Sequence, residues 1–277
     1  MNGLRMPDRP PSRAIRVAFA TILLACLATP ARAADNLYRA QTIVTGTGEA
    51  NRLIGFASCL EDVLIKVSGQ FRLAGDPRLA PYRQDAARLV RDYSYRDEKG
   101  GKPKNDEQGT RDRSFILTAD FDEAAINEVL TALGAKPWLS RRPVLSVFAE
   151  LQLPARRTIV ASDAKQSDLE RQALKTAADK RGLSVMLPDV ATLQNLGAND
   201  APLANFPPAR LAAAAAGQGG EVLLIARLVW DEQALRWNGE WQLDGKGPPR
   251  RWQLSADTFD EAFRRGLGGA AQILSER

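Results

Sequence analysis

Leu37-Tyr-Arg-Ala-Gln-Thr-Ile-Val44, then Gly46-Thr-Gly48, then Leu53, Phe56, Ala57, Leu60, Val63, Leu64 and Val67 up to Gly69 set the fold class of this chain. The first run reads as a strand, and the glycines end it. The apolar residues that follow recur at helical spacing and make one stripe. Gly69 can take the left-handed conformation that closes a last helical turn. A strand followed by a one-sided helix implies a sheet with a covered face, and the rest of the chain repeats that theme.

Downstream, residues 71–79 read as irregular, Tyr82–Val90 as a short helix, and Arg91-Asp-Tyr-Ser-Tyr-Arg96 as a strand. Asp97–Arg111, rich in glycine and charge, reads as a mobile hairpin excursion. Ser114–Ala119 resumes as a strand. Asp120 with Glu123 forms a capping-box pattern for a helix carrying Ile126, Val129, Leu130 and Leu133 and ending at Gly134. Pro143–Glu150 is dense enough in apolar residues for a covered strand. Without the short helix the order is β-α-β-β-α-β, which two helices on one face of a four-stranded, ferredoxin-like sheet would satisfy.

The second half is read as a mixed sheet with a C-terminal helix. Ser167 and Glu170 suggest another capping box, before a helix ending at Gly182. Leu183–Leu187 is a short strand, and a connection runs to Pro208. Residues 209–216 form an alanine-rich helix, and Glu221–Trp230 a central strand. Ala234–Leu243 and Arg250–Leu254 are further strands, and a helix from near Asp257 turns Phe259, Phe263, Leu267 and Leu274 inward. The expected organisation is a leader over 1–33, an α/β lobe over 34–150 and a second over 151–277, with strand 143–150 shared between them.

The leader reading rests on charge and hydropathy. Arg5, Arg9, Arg13 and Arg16 precede an apolar run from Val17 to Ala28, then Thr29-Pro30-Ala31-Arg32-Ala33. Basic, apolar and small, in that order, is a secretory signal, and a bilayer-spanning helix would need about twenty apolar residues. Cleavage after Ala33 and a periplasmic destination are expected. Cys26, after Leu23-Leu24-Ala25, is the position a lipid anchor would use instead. Residues 1–33 hold five of the 38 Lys plus Arg and one of the 33 Asp plus Glu, leaving 33 against 32. The excess positive charge therefore sits mostly in the leader, and nucleic acid is not an expected partner.

The chain contains no histidine. That removes Ser-His-Asp and Cys-His catalysis and histidine zinc sites, and Cys59 as the one cysteine beyond the leader removes cysteine metal clusters. No catalytic residue, metal or cofactor is assigned. Gly46-Thr-Gly48 is only the opening of a phosphate-binding loop and reads as a turn. Glu61-Asp62, Asp122-Glu123 and Asp260-Glu261 are neighbours on helices, pointing about 100 degrees apart, so none is the opposed acid and base of a glycosidase. Trp230, Trp237, Trp241 and Trp252, with Arg236 beside them, are the candidate contact residues for a protein or a glycan; facing the terminal helix, they would be core.

Val63-Leu-Ile-Lys-Val-Ser-Gly69 resembles the helix-ending signature of the exported bacterial proteins of domain-of-unknown-function family 2066. Tyr93-Ser-Tyr95, Pro143–Glu150, Arg181-Gly-Leu-Ser-Val-Met-Leu-Pro-Asp189 and Glu221-Val-Leu-Leu-Ile-Ala-Arg-Leu228 look like its successive landmarks, with a departure after Leu187. The resemblance implies export and α/β architecture and brings no catalytic residues. On element order alone the second half is similar to the amino-terminal domain of TolB and to CsgG. Together these readings imply a non-enzymatic periplasmic accessory or assembly protein, contacting an envelope protein through a sheet edge or the aromatic hairpin. A peptidoglycan- or glycan-binding module is the alternative, and a histidine-free hydrolase ranks below it.

Overall fold

The computed structural model describes residues 37–98, 113–245 and 247–276, all within one compact unit, Asn36–Arg277. The leader and most of the Asp97–Arg111 excursion lie outside the described residues. The architecture is mixed α/β, with helices packed on two separate sheets. Among the described residues no helix is long and apolar enough to cross a membrane.

The first sheet contains β1 (Arg39–Thr45), β2 (Val90–Asp97) and β3 (Ser114–Phe121) in the order β1-β3-β2, antiparallel throughout. Ala40 and Val44 of β1 and Leu117, Ala119 and Phe121 of β3 are buried. Helices α1 (Glu49–Ser68) and α3 (Glu123–Ala132) cover that face. Gly69 closes α1 at φ 71°, its N–H reaching the Ile65 carbonyl at 2.8 Å. The cap of α3 is Asp122, which accepts from the Ala125 N–H at 2.9 Å. Asp120 instead pairs with Arg39 across the sheet, because the strand runs on through Phe121. The Tyr82–Val90 helix is short: α2 (Ala80–Gln84), then a 3-10 turn over Ala86–Leu89.

The expected fourth strand of this sheet goes elsewhere. β4 (Leu145–Leu153) lies in the second sheet, parallel to β7 (Val222–Asp231), so the four-stranded ferredoxin-like arrangement does not form. The reason is burial on both faces: residues Leu145 to Leu151 are all buried. The first sheet leaves one face to solvent, whereas the second covers β4 and the start of β7 on both sides. Its order is β5-β4-β7-β8-β9, with β5 (Arg156–Ile159), β8 (Arg236–Asp244) and β9 (Arg250–Ala256), and β6 (Val185–Met186) also pairing β4.

One face packs against α4 (Asp168–Lys180) and α7 (Phe259–Ser275). The other packs against α5 (Val190–Leu196), a 3-10 turn at Leu203–Asn205 and α6 (Pro208–Ala216). Helix α5 falls inside what reads in sequence as a plain connection; Asp189 caps it through the Thr192 N–H at 2.7 Å and Gly197 ends it at φ 73°. Ser167 makes no capping bond to α4. Its hydroxyl is turned inward to the Ala161 and Ala164 backbone, and Glu170 meets Arg156.

Helix α7 carries three glycines within four residues, Gly266, Gly268 and Gly269, at an intrinsic cost of about 1 kcal/mol each. A Cβ on Gly266 would enter the Trp241 ring, one on Gly268 the Phe71 ring, and one on Gly269 would sit 2.7 Å from the Trp252 indole nitrogen. The rings occupy the volume of the missing methyls. Gly266→Ala is therefore expected to lower stability by about 1–2 kcal/mol despite its gain in helix propensity, because overpacking outweighs it. Urea unfolding would measure this, and Trp241→Phe in the same chain should recover part of the loss; an unchanged midpoint in the single variant would refute the packing argument.

Candidate functional site

β1 is one of the two edge strands of the first sheet, the other being β2. In the β1–β3 ladder Ala40, Thr42 and Val44 stand opposite Ala119, Leu117 and Phe115. The flanking bonds, Phe121 N–H to Tyr38 O and Gly46 N–H to Arg113 O, fix which residues point into the sheet. Even-numbered residues of β1 bond to β3, so the peptide groups of Arg39, Gln41, Ile43 and Thr45 point outward.

Helix α1 ties both ends of that edge. Lys66 Nζ donates to the Arg39 carbonyl at 2.6 Å, and the Asn51 side-chain amide donates to the Thr45 carbonyl. Between these anchors the outward groups of Gln41 and Ile43 pair with no strand among the described residues. The groove beside them has a volume of about 710 Å³. Thr176, Asp179 and Lys180 of α4 form its far wall, and Asp62 and Lys66 of α1 its floor. Ile43 is 60% exposed on its rim, and Ile54, 69% exposed, lies on the α1 row that continues through Ser58 and Asp62.

The charges of the floor are arranged for packing. Asp62 accepts from Lys180 at 2.9 Å and from Arg181 at 3.2 Å. Lys66 is buried, and desolvation brings its ammonium down to about 8; Asp62 opposes the shift and Arg142 adds to it. Burial pushes the Cys59 thiol up to about 12, with Asp62 adding, so it stays a packed thiol and not a nucleophile. What the groove offers is hydrogen-bonding backbone, the exposed Ile43 and an exposed carboxylate at Asp179, with the exposed Ile54 on α1 outside its lining. Among the described residues no cluster of carboxylates and cysteine could hold a metal.

The tryptophans sit on the opposite sheet. Trp237 and Trp241 are 6% and 2% exposed. Trp237 meets Phe259 and Trp241 meets Phe263, edge to face, while Trp241 stacks on half-buried Trp252 at 6.1 Å and half-buried Trp230 meets Trp237 at 5.5 Å. All four rings thus pack with the α7 core. Arg236 is exposed beside the β7–β8 turn, opposite Asp231.

The paired carboxylates are likewise structural: Glu61 meets Arg83 and the Gly75 N–H, Asp122 caps α3, and Glu261 meets Arg264 and Arg265. Gly46 is a turn at φ 75°, and Gly48 stands before α1. Sequence reading pointed to a sheet edge without saying which. The alternation Arg39, Gln41, Ile43, Thr45 carries the signal, because it puts an exposed isoleucine where a solvent face would be polar.

Residues 31–139 match the model of a different family from the one the motifs suggested, a domain of unknown function numbered 8605. The resemblance to family 2066, and the comparisons with TolB and CsgG, are thereby overturned. Val63–Gly69 is an apolar helix end closed by a left-handed glycine, a solution open to any helix. Among solved structures, the Protein Y N-terminal domain of Thermus thermophilus is 12% identical over 50% of this chain and 98% of its own, with a TM-score of 0.22. An uncharacterised protein is 12% identical over 48% of this chain and 90% of its own, with a TM-score of 0.21. No curated protein matches the chain.

Lys66 gives the groove floor a pH signature. Its folded pKa, about 8, lies below the ordinary 10.5, so between those values the unfolded chain holds more protons and stability rises with pH. Wild type should gain stability over Lys66→Met from pH 8 to 10, measured by urea unfolding at each pH. Parallel curves would remove Lys66 as the cause.

Proposed function

We propose that this chain is a non-enzymatic accessory protein of the cell envelope that acts by protein contact, and that it takes an extended segment of its partner as an added strand on β1. The leader's basic, apolar and small order supports export to the periplasm. The observation that carries the contact is the pair of outward peptide groups at Gln41 and Ile43, held between the Lys66 and Asn51 anchors. Strand addition uses such main-chain groups for affinity and alternate side chains for selectivity. Ile43 would meet one face of the incoming strand and the Ile54–Ser58–Asp62 row the other.

Proline separates this reading from a general loss of structure. At Gln41 it removes an outward N–H and is tolerated at an edge; at Thr42 it removes a bond to β3. A photo-crosslinker at Ile43 in cells is expected to give an adduct of defined mass that Gln41→Pro abolishes with the circular dichroism unchanged. Thr42→Pro should unfold the first sheet. A folded Gln41→Pro protein that keeps the adduct would sink the proposal.

A further inference from the structure

On the second face of the six-stranded sheet the helical cover stops short. Helices α5 and α6 and the turn at Leu203–Asn205 lie over β4, β5 and the start of β7, where Phe148, Leu223 and Ile225 meet Leu203, Phe206 and Leu211. Beyond that step β8 and β9 turn polar side chains outward in register: Gln242 beside Arg251, Glu240 beside Gln253, Asn238 beside Ser255. A groove of about 610 Å³ runs along the step, within the roughly 300–1,000 Å³ usual for small-ligand sites.

Its two sides differ in chemistry. Ile225, Phe206 and Pro208 make an apolar floor and wall, while Arg227, Glu240, Gln242, Arg251 and Gln253 line the other side. These polar groups are planar amides, guanidiniums and a carboxylate, able to donate or accept two parallel bonds. Arg227 and Arg251 against Glu240 leave one net positive charge on this side. Arg227 stands 2.9 Å from Glu240 and 3.9 Å from the buried Glu150, while Arg251 rests on the neutral Gln242 amide at 2.7 Å. Such a groove suits a ligand with one apolar face and many paired hydroxyls.

We infer that this groove is a binding site for a pyranose oligosaccharide, whose C–H face lies on Ile225 and Phe206 and whose hydroxyls meet Gln242, Gln253, Glu240 and Arg251. It is independent of the β1 edge; Trp241 and Trp252 also line it, while their side chains pack with the α7 core. Gln253, Glu240 and Arg251 are exposed and hold no core contact, so they can be changed without unfolding the protein.

The test is NMR titration of the folded protein with chitotriose, maltotriose and cellotriose, and separately with inorganic phosphate, following the side-chain amides of Gln242 and Gln253. At least one trisaccharide should shift both amides saturably, and Gln253→Ala and Arg251→Ala should each weaken it at least tenfold with circular dichroism unchanged. Gln41→Pro should leave the affinity as it was, which keeps this site separate from strand capture. Shifts with phosphate alone, no saturable shift with any sugar, or full affinity in a Gln253→Ala/Arg251→Ala double variant would overturn it.

Discussion

The Arg142 guanidinium joins the two halves of the core, and most other placements follow from it. It donates to the carbonyls of Arg181 and Gly182 at 2.9 and 3.2 Å, of Lys66 at 2.7 Å and of Trp138 at 3.3 Å, and lies 4.3 Å over the Trp138 ring. The Lys66, Arg181 and Gly182 carbonyls lie at the ends of α1 and α4, where helix carbonyls lack partners and the helix dipole favours a cation. One side chain thus satisfies two helix ends from opposite sheets. Burial lowers its pKa only to about 10, so it remains charged at neutral pH. Gly182 must lack a Cβ, since one there would collide with the guanidinium. With the ends of α1 and α4 fixed together, Asp62 falls between Lys180 and Arg181, and α4 becomes the far wall of the β1 groove.

The tryptophans show the same economy of volume. Four large rings on one sheet face need a helix that can approach closely, and the Gly266, Gly268 and Gly269 steps of α7 supply it. The Trp241 and Trp252 indole nitrogens are buried with no hydrogen-bond partner among the described residues. That is a cost of about 1–3 kcal/mol for each such group, which ring stacking and buried area must exceed. Trp237 and Trp241 are the buried members of the set, and Trp230 and Trp252 are half-buried. The polar side chains alternating with them on β8 and β9 are the ones that reach solvent.

Most individual elements were legible in the sequence, because periodicity and glycine stops are local. The strands at 39–45 and 114–121 and helix α1 lie close to where the residue pattern puts them. What could not be read was partnership. Residues Leu145 to Leu151 announce a covered strand but do not say which sheet covers it, and the choice depends on α4, α5, α6 and α7 further along the chain. Helix α5 is seven residues long and carries too little of a stripe to stand out. The Arg142 clasp reaches residues up to 76 positions away, beyond any local pattern. A tryptophan in a β-strand reads equally as core or as surface until the facing glycines are placed.

The anchored edge of β1 also limits what strand addition can contribute. Lys66 and Asn51 already use the Arg39 and Thr45 carbonyls, so an incoming strand finds its unpaired donors and acceptors mainly at Gln41 and Ile43. Each such bond adds only about 0.5–1.5 kcal/mol net, while association costs about 4–15 kcal/mol. Main-chain pairing alone therefore cannot hold a partner, and a chance strand from another chain gains little there, which protects the edge from indiscriminate sheet extension. Affinity must come from side chains that fit Ile43, Ile54 and Asp179. On the proposed reading, an edge shortened in this way would convert a general hazard of open sheets into a selective and reversible contact.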